Sequence, residues 1–131
     1  MIIGLGVDVF EISRMERALR EGDPDLAHDL FTPAEIAECP QQRQPARYFA
    51  GRFAAKEAIL KALALDGSEG TDWHEVELRL ADVRAPDRPL VILHGGLKAL
   101  ADRKRVTRVL VSISHARSLA MAAAVLECRD D

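Results

Sequence analysis

Apolar side chains recur along this chain with two periods, and each change of period marks an element. Residues 2–9 are β-branched and apolar with interspersed glycine, which predicts a buried strand ending near Asp8. Ile12, Met15 and Leu19 follow at helical spacing, leaving Arg14, Arg17 and Arg20 on a different, solvent-facing stripe. Thr32-Pro33-Ala34-Glu35 combines a capping residue, proline at the first helical position and a glutamate three residues after the cap. A short helix therefore begins there, and Pro40 ends it. A longer helix is predicted over 45–65, with Tyr48, Phe49, Phe53, Leu60 and Leu63 as core contacts and Asp66-Gly67-Ser68-Glu69-Gly70 as the loop that stops it.

From 73 to 80 the period shortens to two. His74, Val76, Leu78 and Leu80 fall on one side, with Glu75, Glu77 and Arg79 on a wetter one, so the segment reads as a strand. Pro86-Asp87-Arg88-Pro89 marks a turn, residues 90–93 another strand, and residues 95–103 a helix built on Leu97, Leu100 and Ala101. Val109, Val111 and Ile113 alternate with Leu110, Ser112 and Ser114, and a tight connection at His115-Ala116-Arg117-Ser118 leads into the alanine-rich run 119–126. That run is read as the neighbouring strand, with helix as the competing reading because of alanine's propensity. No repeat, linker or low-complexity tract interrupts the chain, so residues 1–131 are expected to form a single α+β domain.

A chain of 131 residues with 48% hydrophobic content can bury one real core. Its net charge of −3 gives no sign of nucleic-acid binding, so any polyanion site must be local. Cys39 and Cys128 stand far apart, without the spacing of a zinc site or a disulfide framework. The segment Met1-Ile2-Ile3-Gly4-Leu5-Gly6-Val7-Asp8 lacks the basic flank and cleavage site of a signal peptide, and its apolar run is too short to span a bilayer. A cytoplasmic protein without membrane attachment is the expectation.

Candidate chemistry concentrates in Arg52-Phe53-Ala54-Ala55-Lys56-Glu57-Ala58-Ile59-Leu60-Lys61. Glu57 and Lys61, four apart, project from one helix face within an otherwise apolar helix. An intrahelical pair of this kind is ordinarily a solvated one worth about 0.2–0.5 kcal/mol. A site for a hard cation and the phosphate it carries would need the same two groups. Asp8 at a strand exit could equally cap the helix after it, and His115 could be a satisfied turn residue.

Four segments, taken together, resemble one family. They are Gly6-Val7-Asp8-Val9-Phe10-Glu11-Ile12-Ser13-Arg14; Phe49-Ala50-Gly51-Arg52-Phe53-Ala54-Ala55-Lys56-Glu57-Ala58 with Lys61-Ala62-Leu63; Trp73-His74-Glu75-Val76-Glu77; and Val111-Ser112-Ile113-Ser114-His115. In this order they resemble the holo-acyl-carrier-protein synthase family of 4′-phosphopantetheinyl transferases. The resemblance implies a mainly antiparallel sheet packed against a long helix. It implies transfer of 4′-phosphopantetheine from coenzyme A to a serine of an apo acyl carrier protein, with Mg²⁺ as cofactor and adenosine 3′,5′-bisphosphate as the other product. Asp8 and Glu57 would hold the metal, and Lys61 would offset charge on the pyrophosphate. Lys56, Ser112, Ser114 and His115 would contact coenzyme A phosphates, and Arg14, with Arg17 and Arg20 beside it, would meet the acidic carrier. A homotrimer with active sites at subunit boundaries is also implied, Asp8 coming from one chain and the Glu57 helix from that chain or its neighbour.

The chain departs from the family pattern in two places. Where a Gly-Thr-Gly-like turn usually follows Leu63, this sequence has Ala64-Leu65-Asp66-Gly67-Ser68-Glu69-Gly70-Thr71, and Asp87 replaces a glycine ahead of Pro89. Two rival readings remain. One is a Mg²⁺-dependent nucleotide pyrophosphatase that uses the same carboxylates and lysine. The other is an inactive module that binds an acidic helical partner through its arginines.

Overall fold

Strand β1 (Ile2–Glu11) runs directly into helix α1 (Ile12–Glu21), so Asp8 lies inside a strand rather than at its exit. The computed structural model describes residues 1–40, 44–65 and 71–129. Two short helices, α2 (Leu26–Leu30) and α3 (Pro33–Ala37), lead to the long helix α4 (Pro45–Ala62). Then come a small antiparallel pair, β2 (Val76–Arg79) and β3 (Leu90–Leu93), helix α5 (Gly95–Arg103), and the hairpin β4 (Val106–His115) and β5 (Leu119–Cys128). The main sheet has the order β1-β5-β4, antiparallel throughout.

The alanine-rich run 119–126 is a strand. Ala120, Ala122, Ala124 and Leu126 alternate into the core, and burial of that face outweighs alanine's helical preference. Small side chains on β5 meet Ala54, Ala55 and Ala58 of α4, all fully enclosed, so helix and sheet approach closely. On β1 the approach is closer still. A Cβ on Gly4 or Gly6 would strike the α4 carbonyls of Ala62 and Ala58, so only glycine serves there.

The start of α3 is built as expected. Thr32 accepts from the Glu35 amide at 3.2 Å while Glu35 accepts from the Thr32 amide at 2.7 Å. Helix α2 has no counterpart among the elements expected from sequence. Two expectations need correction. Residues Trp73–Glu75 form a 3-10 turn started by Asp72, whose side chain accepts from the His74 amide at 3.0 Å, and the strand begins only at Val76. Helix α4 ends at Ala62, before the expected 65. The expected loop at 66–70 lies outside the described residues.

Register fixes which residues share a face. Asp8 stands opposite Ala122, itself opposite Ile113, and this row faces α4. Val7, Ala123 and Ser112 form the neighbouring row, on the other face of the sheet. Among the described residues no helix covers that second face. Leu5 is 66% exposed and Val7 49%, and Val9, Leu110 and Met121 continue the apolar surface.

Candidate active site

Lys61 reaches from the last turn of α4 to Asp8 on β1, its Nζ 2.8 Å from Oδ1 and 3.1 Å from the Val7 carbonyl. The other Asp8 oxygen, Oδ2, is buried and has no hydrogen-bond partner. Glu57, one turn before Lys61, lies within hydrogen-bonding reach of Asp8. Burial, then the Asp8 charge and the contact with it, push the Glu57 carboxyl above the usual carboxylate range, against the pull of Lys61 and Arg14. Two carboxylates crowded together, one with an orphaned buried oxygen, form an unsatisfied anionic donor set. A hard dication that keeps most of its water ligands needs no more protein than this. Among the described residues no larger cluster of His, Cys, Asp and Glu offers an alternative cage.

Arg14 extends this side of the molecule. It is exposed on α1, its guanidinium lies 5.2 Å from the Phe10 ring centroid, and its charge is felt at Glu57. Phe10 meets Phe53 edge-on at 5.2 Å, and Phe53 meets Trp73 at 5.0 Å, so an aromatic wall stands beside the carboxylates.

The opposite side of α4 is built differently. Tyr48 and Arg52 lie nine residues before Glu57 and Lys61 respectively, about two and a half turns, and so project to the other side of the helix. There a cleft of about 500 Å³ is lined by Arg47, Tyr48, Arg52, Asp87 and His115 among others. Arg52 is 4% exposed, stacks 4.9 Å from the Tyr48 ring centroid and donates to the Pro86 carbonyl at 3.0 Å. His115 packs against Gly51, where a Cβ would come 2.7 Å from Nε2. Its Nε2 lies 3.1 Å from the Arg47 carbonyl and its Nδ1 3.9 Å from Asp87.

Comparison with known proteins accounts for this combination. A family model of the 4′-phosphopantetheinyl transferase superfamily matches residues 4–123. The chain belongs to that superfamily. It is 40% identical over 127 residues to the holo-[acyl-carrier-protein] synthase of Geobacter sulfurreducens, covering 97% of this chain and 98% of that one. Among solved structures, the acyl carrier protein synthase of Plasmodium yoelii with ADP bound superposes with a TM-score of 0.86 at 27% identity, covering 99% of this chain and 98% of that one. The holo-(acyl-carrier-protein) synthase of Bacillus anthracis in complex with CoA (3′,5′-ADP) gives 0.75 at 30% identity, covering 98% and 99%. This transferase therefore has the α+β fold that the resemblance implied, and its chemistry is phosphopantetheinyl transfer.

Within the transferase, the expected site residues separate into groups. Asp8, Glu57 and Lys61 converge within one chain, so the alternative in which Asp8 and the Glu57 helix belong to different chains is not needed. Lys56 requires correction. It is fully buried, and its ammonium is spent on Glu35 Oε1 at 2.8 Å, the Leu30 carbonyl at 2.8 Å and the Trp73 carbonyl at 2.9 Å, so no donor remains for a phosphate. The trio Ser112, Ser114 and His115 is also divided. Both serines are exposed on the uncovered face of the sheet, whereas His115 points to the α4 side and into the cleft. Burial lowers the His115 pKa, and its Nε2–H faces the Arg47 carbonyl, so neutral His115 presents an acceptor at Nδ1. It donates to a phosphate only when protonated.

Arg17 is exposed on α1, while Arg20 is engaged by Glu16 at 3.5 Å and Glu21 at 3.6 Å. Arg47 and Arg52 are not among the site residues expected from sequence. The signal is present for Arg52, which falls on the helix side opposite Lys61, where a core-facing helix would place apolar residues, while Arg47 lies within about 40° of Lys61 around the helix and carries no such signal.

Proposed function

We propose that the protein transfers 4′-phosphopantetheine from coenzyme A to a serine of an apo acyl carrier protein, at sites shared between neighbouring copies of a homotrimer. The pairing of Asp8 with Glu57, which leaves a buried carboxylate oxygen without a partner, carries this reading. Asp8 and Glu57 would hold Mg²⁺, which when bound supplies charge neutralisation to the pyrophosphate. The chain's own groups do the rest. Lys61 offers its ammonium to the phosphate oxygens and offsets charge on departing adenosine 3′,5′-bisphosphate. The serine oxygen forms a bond to the phosphorus bearing the pantetheine arm as the bridging P–O bond breaks. The serine proton passes, by way of a water, to a carboxylate of the Asp8–Glu57 pair.

The Arg47 and Arg52 guanidiniums of the cleft, beside Glu38 and Asp87, suit the phosphate-bearing adenosine end of coenzyme A. Because α4 stands between this cleft and the carboxylates, a complete site forms most directly when the cleft of one copy faces the carboxylates of the next. Such a head-to-tail contact closes into a ring, and three is the number the family resemblance implies. The uncovered face around Leu5, Val7 and Val9 supplies the apolar surface such an assembly would bury. Arg14 and Arg17 flank the carboxylates on the side open to an acidic carrier. Cys39 and Cys128, both free thiols, fit a reducing cytoplasm, and among the described residues no helix is long and apolar enough to cross a membrane.

Mass spectrometry of an apo acyl carrier protein incubated with the protein, coenzyme A and Mg²⁺ tests the reading. The expected result is a phosphopantetheine adduct on the carrier. Hydrolysed coenzyme A with an unmodified carrier would overturn it in favour of a pyrophosphatase.

A further inference from the structure

We infer that the buried Glu35–Lys56 pair is a positioning device, which sets the rotation of α4 about its axis and so aims Glu57 at Asp8. The core side of α4 is mostly alanine, with Ala50, Ala54, Ala55 and Ala58 fully enclosed. Short side chains give a close, smooth contact along this alanine row, while Phe49, Ile59 and Leu60 interlock elsewhere on the helix. Directional bonds resist turning of the helix: Lys61 ties the last turn to Asp8 and Val7, Arg52 ties the middle to Pro86, and the densest buried set converges on Lys56. Its ammonium is fixed by Glu35 Oε1, by the Leu30 carbonyl at the end of α2 and by the Trp73 carbonyl of the 3-10 turn. Glu35 is anchored in turn. Its Oε1 also accepts from the Thr32 amide at 2.7 Å, and its Oε2 accepts from the Leu78 amide of β2 at 2.8 Å.

Three separate parts of the chain thus grip α4 at one residue, with β2 held behind Glu35, and that residue is the immediate neighbour of Glu57. Glu57 itself has no comparable support, being half-buried and beside a like charge that repels it. With side chains at a radius of about 5–6 Å, a rotation of the helix by about 10° shifts Glu57 by about 1 Å. A misplacement of that size costs about a hundredfold in rate. Holding the helix against the Asp8 repulsion is therefore a task separate from stability, since a buried ion pair is often replaceable by apolar residues without loss of stability.

The inference rests on Asp8 and Glu57 being the paired catalytic carboxylates, and the experiment separates the two ideas. The double variant Glu35→Leu with Lys56→Met keeps the core filled and removes both charges together. It also frees the Thr32 and Leu78 amides and the Leu30 and Trp73 carbonyls, so it is expected to melt below the parent; assayed well below its own melting temperature it should lose about tenfold to a hundredfold in kcat and keep its KM for coenzyme A within about threefold. Its thermal stabilisation by Mg²⁺ should shrink as well. Glu35→Gln, which retains volume and cannot accept all three hydrogen bonds, provides the second measurement should the double variant fail to fold, with kcat expected about tenfold down at unchanged KM. Parental kcat in either folded variant, with Glu57→Gln inactive beside it, overturns the positioning role alone. Parental kcat in Glu57→Gln overturns the site assignment beneath it.

Discussion

Gly6 and Ala58 meet backbone to backbone, and a Cβ on Gly6 would collide with the Ala58 carbonyl and come 2.8 Å from the Ala62 amide nitrogen. Neither obstacle is a flexible side chain, so Gly6→Ala must lift α4 from β1. Overpacking of this kind costs about 1–3 kcal/mol. Because Asp8 lies two residues on and Glu57 beside Ala58, turnover should fall by more than the lost folded fraction explains. Denaturant unfolding and transfer rate, measured on the same preparation, check this, and an active, stable Gly6→Ala protein would contradict it.

Glu57 supplies a pH test. Its folded-state pKa is raised by burial and Asp8, so its contribution favours the folded state below the ordinary glutamate pKa and is lost as pH rises through the raised value. In metal-free buffer at neutral pH, Glu57→Gln should therefore melt above the parent. The difference should vanish below the ordinary glutamate range, where both side chains are neutral. Millimolar Mg²⁺ should raise the melting temperature of the parent and leave that of the variant unchanged. A variant that melts lower than the metal-free parent at neutral pH would refute the repulsion.

The two lysines should part company. Lys56→Met leaves buried Glu35 without its counter-charge and should cost about 3–5 kcal/mol. Lys61 is half exposed but partners the buried Asp8 carboxylate, so Lys61→Met should cost about 1–3 kcal/mol, less than Lys56→Met, and reduce kcat about a hundredfold. Chemical denaturation beside steady-state kinetics distinguishes them. Equal losses of stability would mean that Lys61 is structural.

Charge reversal on α1 should act through association. Arg14→Glu and Arg17→Glu are expected to lower kcat/KM for the carrier about tenfold at low salt, and less at high salt, with the KM for coenzyme A unchanged. Arg20 already shares its charge with Glu16 and Glu21 and should matter less. A salt-independent loss would point to damage within the site.

Local signals carry much of this architecture. The capping box at Thr32 and Glu35 and the proline at the start of α4 are short-range effects written in adjacent residues, and each forms where the sequence predicts it, while the alternation in β2 forms over a shorter stretch than predicted. The alternation in β4 also separates the expected phosphate contacts, because Ser112 and Ser114 share one parity and His115 the other. Strict alternation alone divides them. Lys56 departs from expectation for a different reason. Its partner Glu35 lies 21 residues earlier, within a capping motif that already gives the glutamate a local explanation. Nothing in the spacing tells that one carboxylate serves a helix start, a strand amide and a buried ammonium together. The split of α4 into an acidic side and a basic side is visible in periodicity, but its meaning requires knowing that β1 and β4 lie on opposite flanks of β5.

That division has a genetic consequence. If the basic cleft of each copy serves the carboxylates of its neighbour, an Asp8→Ala subunit and an Arg52→Ala subunit are broken in different halves of different sites. Mixed rings of the two then contain at least one boundary where an intact Asp8 faces an intact Arg52, so two inactive alleles expressed together should restore carrier modification that neither supports alone.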